Sequence, residues 1–152
     1  MERRIIVSDF KAADAEEVIR MLCHDLESKG FVDSEYVNDV LAREKDYPTG
    51  LPTQPIKVAI PHADSTHVRD TGIALARLEN PVEFYSMEMS GELYQVNLVF
   101  LLAISEQEKM NVLSNLVVML QDQEVLKKLA IEDDVTVIQD LINQNMKGCE
   151  LQ

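Results

Sequence analysis

The residue whose type and position best suit chemistry is His62, which follows a short apolar run ended by a proline. Residues 58–60 predict a buried strand, and Pro61, which cannot donate a ladder hydrogen bond, ends it. A histidine at this point is held by rigid backbone and can still face solvent. Because an unperturbed imidazole has a pKa of about 6.5, His62 offers a neutral, nucleophilic nitrogen near pH 7.

Two neighbouring combinations of residues could also do chemistry: a metal site and a cysteine–histidine pair. His62, Asp64 and His67 could supply nitrogen and carboxylate ligands to zinc, but their spacing matches no strong metal motif. Cys23 and His24 are adjacent in a helical segment, where successive side chains diverge, so they do not predict a catalytic pair. We therefore expect neither a metal nor a cofactor.

The composition is that of an acidic globular chain. Its 152 residues suit a single domain spanning residues 1–152, and 46% of them are hydrophobic. The formal net charge of -13 argues against nucleic acid as a partner, because phosphate binding needs a basic surface. The negative charge could attract a basic protein partner by long-range electrostatics. Alternatively, it only increases the solubility of the protein.

The targeting features predict a cytoplasmic protein without direct membrane insertion. The first residues lack the long apolar core of a signal peptide, and the longest apolar run, residues 98–104, is too short to cross a bilayer. Two cysteines form no disulfide framework in a chain of this size and fit a reducing compartment.

The first third of the chain predicts a short strand, two helices and a loop. Residues 4–7 form either this strand or an extended entry to the domain. Asp14 caps the first helix, with Glu17 at capping-box spacing, and Gly30 ends it. The second helix ends near Arg43. Four residues then prevent regular structure: Pro48, Gly50, Pro52 and Pro55.

The middle of the chain predicts strands over residues 56–60, 72–78, 82–85 and 93–104. Asn80-Pro81 predicts a turn between two of them. The last strand is almost continuously apolar from residue 96 to residue 104, as is typical of a central strand covered on both faces.

Three helices follow, and a tail predicted to be loosely ordered covers residues 143–152. The predicted N-caps are Ser105 (with Glu108 as its capping-box partner), Asp122, and Asp133 or Asp134. The first of these helices carries a predicted core stripe of Met110, Leu113, Leu116, Val117 and Leu120. This element order predicts an α/β fold, with a mixed β-sheet of about five strands flanked by helices on both faces.

A three-part motif around His62 resembles a known family. An Arg-Glu pair, a Pro-Thr turn and an Ile-Pro-His strand end follow one another, as Arg43-Glu44, Pro48-Thr49 and Ile60-Pro61-His62. This order resembles enzyme IIA of the phosphoenolpyruvate-dependent sugar phosphotransferase system, fructose–mannitol type. The loop over residues 49–53 is most similar to the galactitol-specific branch, and the resemblance covers nearly the whole chain.

The resemblance implies a phosphoryl carrier. His62, through Nε2, would accept a phosphoryl group from the histidine-containing phosphocarrier protein and pass it to a cysteine of enzyme IIB. Enzyme IIB would in turn phosphorylate a sugar, galactitol or a related hexitol, that enters through membrane-bound enzyme IIC. The alternative is a regulatory module of the nitrogen-related enzyme IIA type, which binds partners according to its phosphorylation state.

The resemblance also assigns roles to residues around His62. Arg43 would bind phosphate with its forked guanidinium, and Thr49 would donate a hydroxyl hydrogen bond to it. Lys109 stands where many family members carry a second histidine; it can balance phosphate charge but cannot readily accept a hydrogen bond. The predicted partner-binding surface consists of the apolar and small residues Leu51, Pro52, Ala63 and Met110.

Overall fold

A five-stranded mixed β-sheet forms the centre of the protein, whose computed structural model describes residues 4–146. Its strands are β1 (Ile5–Phe10), β2 (Gly50–Leu51), β3 (Lys57–Ala59), β4 (Gly72–Tyr85) and β5 (Leu93–Ala103). They lie in the order β1-β4-β5-β3-β2. β1 is parallel to β4 and β3 is parallel to β5, whereas β4–β5 and β2–β3 are antiparallel.

Helices cover both faces of this sheet. Within residues 4–146 they are α1 (Ala15–Ser28), α2 (Tyr36–Asp46), α3 (Lys109–Leu120), α4 (Gln123–Ile131) and α5 (Val135–Asn145). α1 and α2 share one core cluster with Ala74 and Ala76 of β4, while α3, α4 and α5 share the other with Ile73 and Leu75. Successive side chains of a strand point to opposite faces, so β4 supports both layers. The predicted fold class is confirmed.

The most deeply buried strand is β5, which lies between β4 and β3. Its residues 98–103 are at most 1% exposed, as the continuous apolar run predicts. Burying a large apolar side chain contributes about 1.5–3 kcal/mol, so this strand is held firmly. It therefore provides a rigid neighbour for the end of β3, where His62 follows.

Aspartates begin three of the helices, as predicted. Asp14 accepts a hydrogen bond from the Glu17 backbone N–H, Asp122 from that of Glu124, and Asp134 from that of Thr136. α5 continues to Asn145, so the prediction of a loose tail from residue 143 is wrong for its first three residues. Residues 147–152 lie outside the described part of the chain.

Two local predictions are wrong. β4 does not turn at Asn80-Pro81 but continues to Tyr85, with a shift of its register against β5 between Arg77 and Val82. Such an irregularity accommodates a proline, which has no N–H for the ladder. Nor does the Ser105 side chain cap a helix, because residues Glu106–Glu108 form a 3-10 turn before α3 begins.

The side of α3 that faces away from the sheet exposes three apolar residues beside the polar Asn111 and Ser114. Val112, Leu116, Met119 and Leu120 are buried, whereas two residues of the predicted core stripe are exposed: Met110 by 78% and Val117 by 42%. Val118 is exposed by 70%. Apolar side chains grouped on the outer side of a helix often mark a contact with a partner.

Gly50 permits the close packing of the loop before His62. The loop was predicted to lack regular structure, but Gly50 pairs with Ala59 in β2–β3 and accepts a hydrogen bond from the Met87 N–H at 2.8 Å. A Cβ at this position would lie 2.6 Å from the Tyr85 carbonyl oxygen. Only glycine fits there, because the obstructing atom belongs to backbone.

Gly50→Ala should therefore lower the free energy of unfolding by about 1–3 kcal/mol, as overpacking generally does. Urea denaturation followed by circular dichroism measures the change. Gly72→Ala is the matched variant, because its Cβ would meet the movable side chain of Phe31 at 2.9 Å, and we expect a smaller loss. Equal stability of Gly50→Ala and the wild type would contradict the packing described here.

Candidate functional site

His62 lies where two parallel strands end side by side. It follows Pro61 just beyond β3 and forms an isolated parallel bridge with Leu102 near the end of β5. The Leu102 N–H donates to the Pro61 carbonyl at 3.0 Å, which fixes the backbone immediately before the histidine. The imidazole is half-buried. Ligands of open α/β sheets commonly bind at the carboxyl ends of strands, and His62 occupies such an end.

The protonation of the His62 ring follows from one contact. Its Nδ1 lies 2.8 Å from the Ile60 carbonyl oxygen. A carbonyl oxygen can only accept a hydrogen bond, so Nδ1 carries the proton and Nε2 keeps its lone pair. Nε2 therefore has the free lone pair that the predicted nucleophilic nitrogen at this position would need.

The surroundings keep the His62 ring neutral. Burial lowers its pKa below the usual 6.5, and the hydrogen bond to Ile60 opposes this effect only in part. The positive charges of Arg43 and Lys109 lower the pKa further. Both predicted cations are thus close enough to His62 to act on it electrostatically.

Arg43 presents an exposed guanidinium. α2 ends at Asp46 rather than near Arg43, so this residue lies within the last turns of the helix. Its Cζ lies 5.4 Å from the centre of the Tyr47 ring, a cation–π contact that leaves the guanidinium edge open. No carboxylate of residues 4–146 forms an ion pair with it, and its donors are therefore available to an anion.

The Thr49 hydroxyl, which the resemblance assigns to a phosphate group, donates to Glu44 instead. The side chain of Thr49 is buried, with 3% exposed, and its Oγ1 donates to Glu44 Oε1 at 2.7 Å. Its backbone N–H donates to Glu44 Oε2 at 2.9 Å, and its carbonyl accepts from the Ile60 N–H at 3.3 Å. Thr49 thus links α2 to the strand that leads to His62.

Glu44 is a site residue to which the sequence analysis gave no role. Burial raises the pKa of its carboxyl group to about 7, although the two hydrogen bonds from Thr49 and the charge of Arg43 oppose the shift. One feature of the sequence could have identified it: Glu44 and Thr49 are five residues apart, on either side of a turn.

Two of the four predicted partner-binding residues, Leu51 and Pro52, line an apolar cavity, whereas Lys109, Ala63 and Met110 are not part of its lining. Lys109 begins α3, directly before the exposed Met110. Ala63 is half-buried beside His62. A cavity of about 340 Å³ is lined by Leu51, Pro52, Thr53, Ile60, Met87, Val117, Leu120 and Gln121. Met87 and Val117 were not predicted here, because Met87 lies between two predicted strands and helical periodicity placed Val117 in the core.

His67 and Asp64, which were considered as zinc ligands together with His62, have other partners. His67 Nδ1 lies 2.9 Å from Asp33 and its Nε2 lies 3.8 Å from Asp39, both at the start of the α2 region. Asp64 accepts a hydrogen bond from the Thr66 N–H at 3.0 Å. Among the described residues, no three histidine, cysteine or acidic side chains are grouped so that they could hold a metal ion.

The fold and site together define a class of protein, the IIA domains of sugar phosphotransferase systems. The family model described as "Phosphoenolpyruvate-dependent sugar phosphotransferase system, EIIA 2" matches residues 1–145, and the chain belongs to this family. The family resemblance drawn from the motif is thereby confirmed. Of the helices in residues 4–146, none has the length and apolar character needed to span a membrane.

Individual relatives agree with this assignment. The galactitol-specific EIIA component of Escherichia coli K12 is 25% identical over 129 residues, which cover 85% of this chain and 86% of the relative. The crystal structure of IIA mannitol from E. coli is 30% identical, with a TM-score of 0.73 and coverage of 91% and 95%. The IIA chain in the E. coli complex of enzyme IIAMtl and phosphorylated enzyme IIBMtl is 29% identical, with a TM-score of 0.75 and coverage of 93% and 94%.

Lys109→Gln should raise the pKa of His62, because it removes one of the positive charges that lower it. Titration of the imidazole signals by NMR measures this pKa directly. Lys128→Gln, which removes a charge from the exposed side of α4, is the control and should leave the His62 titration unchanged. A His62 pKa that falls or stays constant in Lys109→Gln would show that the lysine does not act on the ring.

Glu44→Gln should change how stability depends on pH. The folded protein holds the Glu44 proton up to about pH 7, whereas the unfolded chain releases it near 4.5. Stability relative to Glu44→Gln should therefore fall by about 1–3 kcal/mol as the pH rises from 4.5 to 7, and then level off. Urea denaturation at a series of pH values measures this, with Glu79→Gln as the control for losing one exposed acid. A constant difference across the range would contradict burial of the carboxyl group.

Proposed function

We propose that this protein is a cytoplasmic phosphoryl carrier of a sugar phosphotransferase system, with Nε2 of His62 as the atom that carries the group. The donor is the phosphohistidine of the histidine-containing phosphocarrier protein, and the acceptor is a cysteine of enzyme IIB. The sugar, galactitol or a related hexitol, enters through enzyme IIC. The observation that supports this proposal most is the Nδ1 contact with the Ile60 carbonyl, which leaves Nε2 neutral and nucleophilic.

The transfer needs no proton to move. The Nε2 lone pair forms a bond to phosphorus while the bond from phosphorus to the donor nitrogen breaks, and the donor imidazole keeps that electron pair. The Nδ1 proton of His62 stays on the ring and continues to donate to Ile60. Because the transition state is loose, the protein mainly aligns the groups and stabilises charge on the phosphoryl oxygens.

Two cations stabilise that charge. Arg43 binds the phosphoryl oxygens through its open guanidinium edge, in a geometry that suits bidentate contact. Lys109 contributes a positive charge from the first turn of α3. Its ammonium group has no lone pair and cannot accept a hydrogen bond from His62. The Ile60 carbonyl orients the ring instead.

The partner proteins dock on the apolar surface beside His62. This surface consists of Leu51, Pro52, Ala63 and Met110, extended by Met87 and Val117 around the 340 Å³ cavity. Ile60 lines the same cavity and holds the His62 ring, so a docked protein lies next to the reacting nitrogen. The net charge of -13 favours encounter with a basic partner and makes association sensitive to salt.

His62→Gln should take up no acid-labile phosphate when phosphoenolpyruvate, enzyme I and the phosphocarrier protein are supplied. Arg43→Met should slow single-turnover uptake by about 100- to 1,000-fold, since one donor to a charged transition state is worth this much. Arg20→Met, on the distant α1, is the matched control and should behave as the wild type.

The same reaction distinguishes the two candidate roles. Addition of enzyme IIB should discharge the wild-type protein, as expected of a carrier in transport. Uptake without discharge to any IIB protein would favour the regulatory alternative, whereas phosphate uptake by His62→Gln equal to that of the wild type would refute both.

A further inference from the structure

The hydroxyl group of Tyr36 joins the two backbone segments that meet at His62. Tyr36 is the first residue of α2, and its side chain is fully buried. Its hydroxyl donates to the Leu102 carbonyl at 2.6 Å and accepts from the Ala63 N–H at 3.2 Å. One side-chain oxygen therefore contacts both the end of β5 and the residue that follows His62.

The Tyr36 hydroxyl oxygen lies where two paired strands would normally bond directly to each other. His62 faces Leu102, and the Leu102 N–H donates to the Pro61 carbonyl at 3.0 Å. In a parallel ladder of this register, the next bond would join the Ala63 N–H to the Leu102 carbonyl. The Tyr36 hydroxyl lies between these two groups and bonds to each. It thereby sets the spacing of the two strand ends on the far side of His62.

We propose that Tyr36 is a positioning residue for His62, and that its hydroxyl holds the peptide after the histidine where Nδ1 reaches the Ile60 carbonyl and Nε2 stays available. Without the hydroxyl, the Ala63 N–H would turn to the Leu102 carbonyl, and the backbone on both sides of His62 would shift towards β5. The effect on phosphoryl transfer rests on the proposed function, whereas the effect on the ring does not.

A tyrosine suits this task for two reasons. A hydroxyl donates and accepts at the same time, as the two contacts require. Burial raises the pKa of Tyr36 above its usual value, so the hydroxyl keeps its proton at neutral pH. The ring also packs in the core cluster formed with α1, which gives the oxygen a fixed position on a rigid element.

Tyr36→Phe tests the proposal, because it keeps the buried ring and removes only the hydroxyl. We expect its single-turnover rate of phosphate uptake from the phosphocarrier protein to fall by about 10- to 100-fold, as displacement of a reacting group generally causes. Tyr94→Phe is the matched control: its ring is also buried, and its hydroxyl forms no hydrogen bond within residues 4–146. The control should retain the wild-type rate to within about twofold.

Nitrogen NMR of the His62 ring gives a second reading that needs no phosphoryl donor. The wild type should show one tautomer, with the proton on Nδ1, and Tyr36→Phe should show a mixture of the two. A merely structural loss of stability would leave the tautomer of the folded protein unchanged. If the wild type accepts no phosphate, the proposed function fails, and the tautomer still decides whether Tyr36 positions the ring.

The proposal is overturned if Tyr36→Phe keeps both the wild-type rate and the wild-type nitrogen shifts. Should this variant fail to fold, the contact can be examined in the wild type. The Tyr36 hydroxyl proton should then give a resolved signal with a nuclear Overhauser effect to the Ala63 amide proton. Absence of that effect, in a spectrum where the Ala63 amide is assigned, would also overturn the proposal.

Discussion

The site depends on the hydrogen bond between His62 Nδ1 and the Ile60 carbonyl oxygen, 2.8 Å apart. This contact places the proton, and thereby decides which nitrogen is nucleophilic. It also requires the residues around Pro61 to hold a defined backbone geometry, and buried Val58, Ala59 and Ile60 provide the support for it. A half-buried ring flanked by cations loses affinity for a second proton, so geometry and charge favour the same neutral form.

α2 fixes the backbone both before and after His62. Near its C-terminus, Glu44 binds Thr49, whose carbonyl accepts from the Ile60 N–H. At its N-terminus, Tyr36 binds Ala63. The two anchoring side chains are about two turns apart, which lets one rigid helix span the short segment that carries His62. Arg43 belongs to the same helix, so Arg43 and the segment that carries His62 share a common support.

The sequence predicted what depends on local pattern. Alternation and apolar runs identified the sheet and β5, and aspartates at helix starts identified three caps. His62 was identified because an apolar strand ended by proline is a local feature. The prediction failed where a distant residue is the partner: the Ser105 side chain accepts a hydrogen bond from the hydroxyl group of Thr71, 34 residues away, and does not cap α3. No local pattern marked Tyr36, since its hydroxyl partners lie 27 and 66 residues away.

The outer side of α3 has a consequence for how the isolated protein behaves in a concentrated solution. Met110, Val117 and Val118 are exposed apolar side chains through which two copies could associate, and the net charge of -13 opposes such contact by mutual repulsion. Acidification neutralises carboxylates and weakens that repulsion, and added salt screens it. We therefore expect self-association to be strongest near the isoelectric point of about 4.5 and in salty buffers.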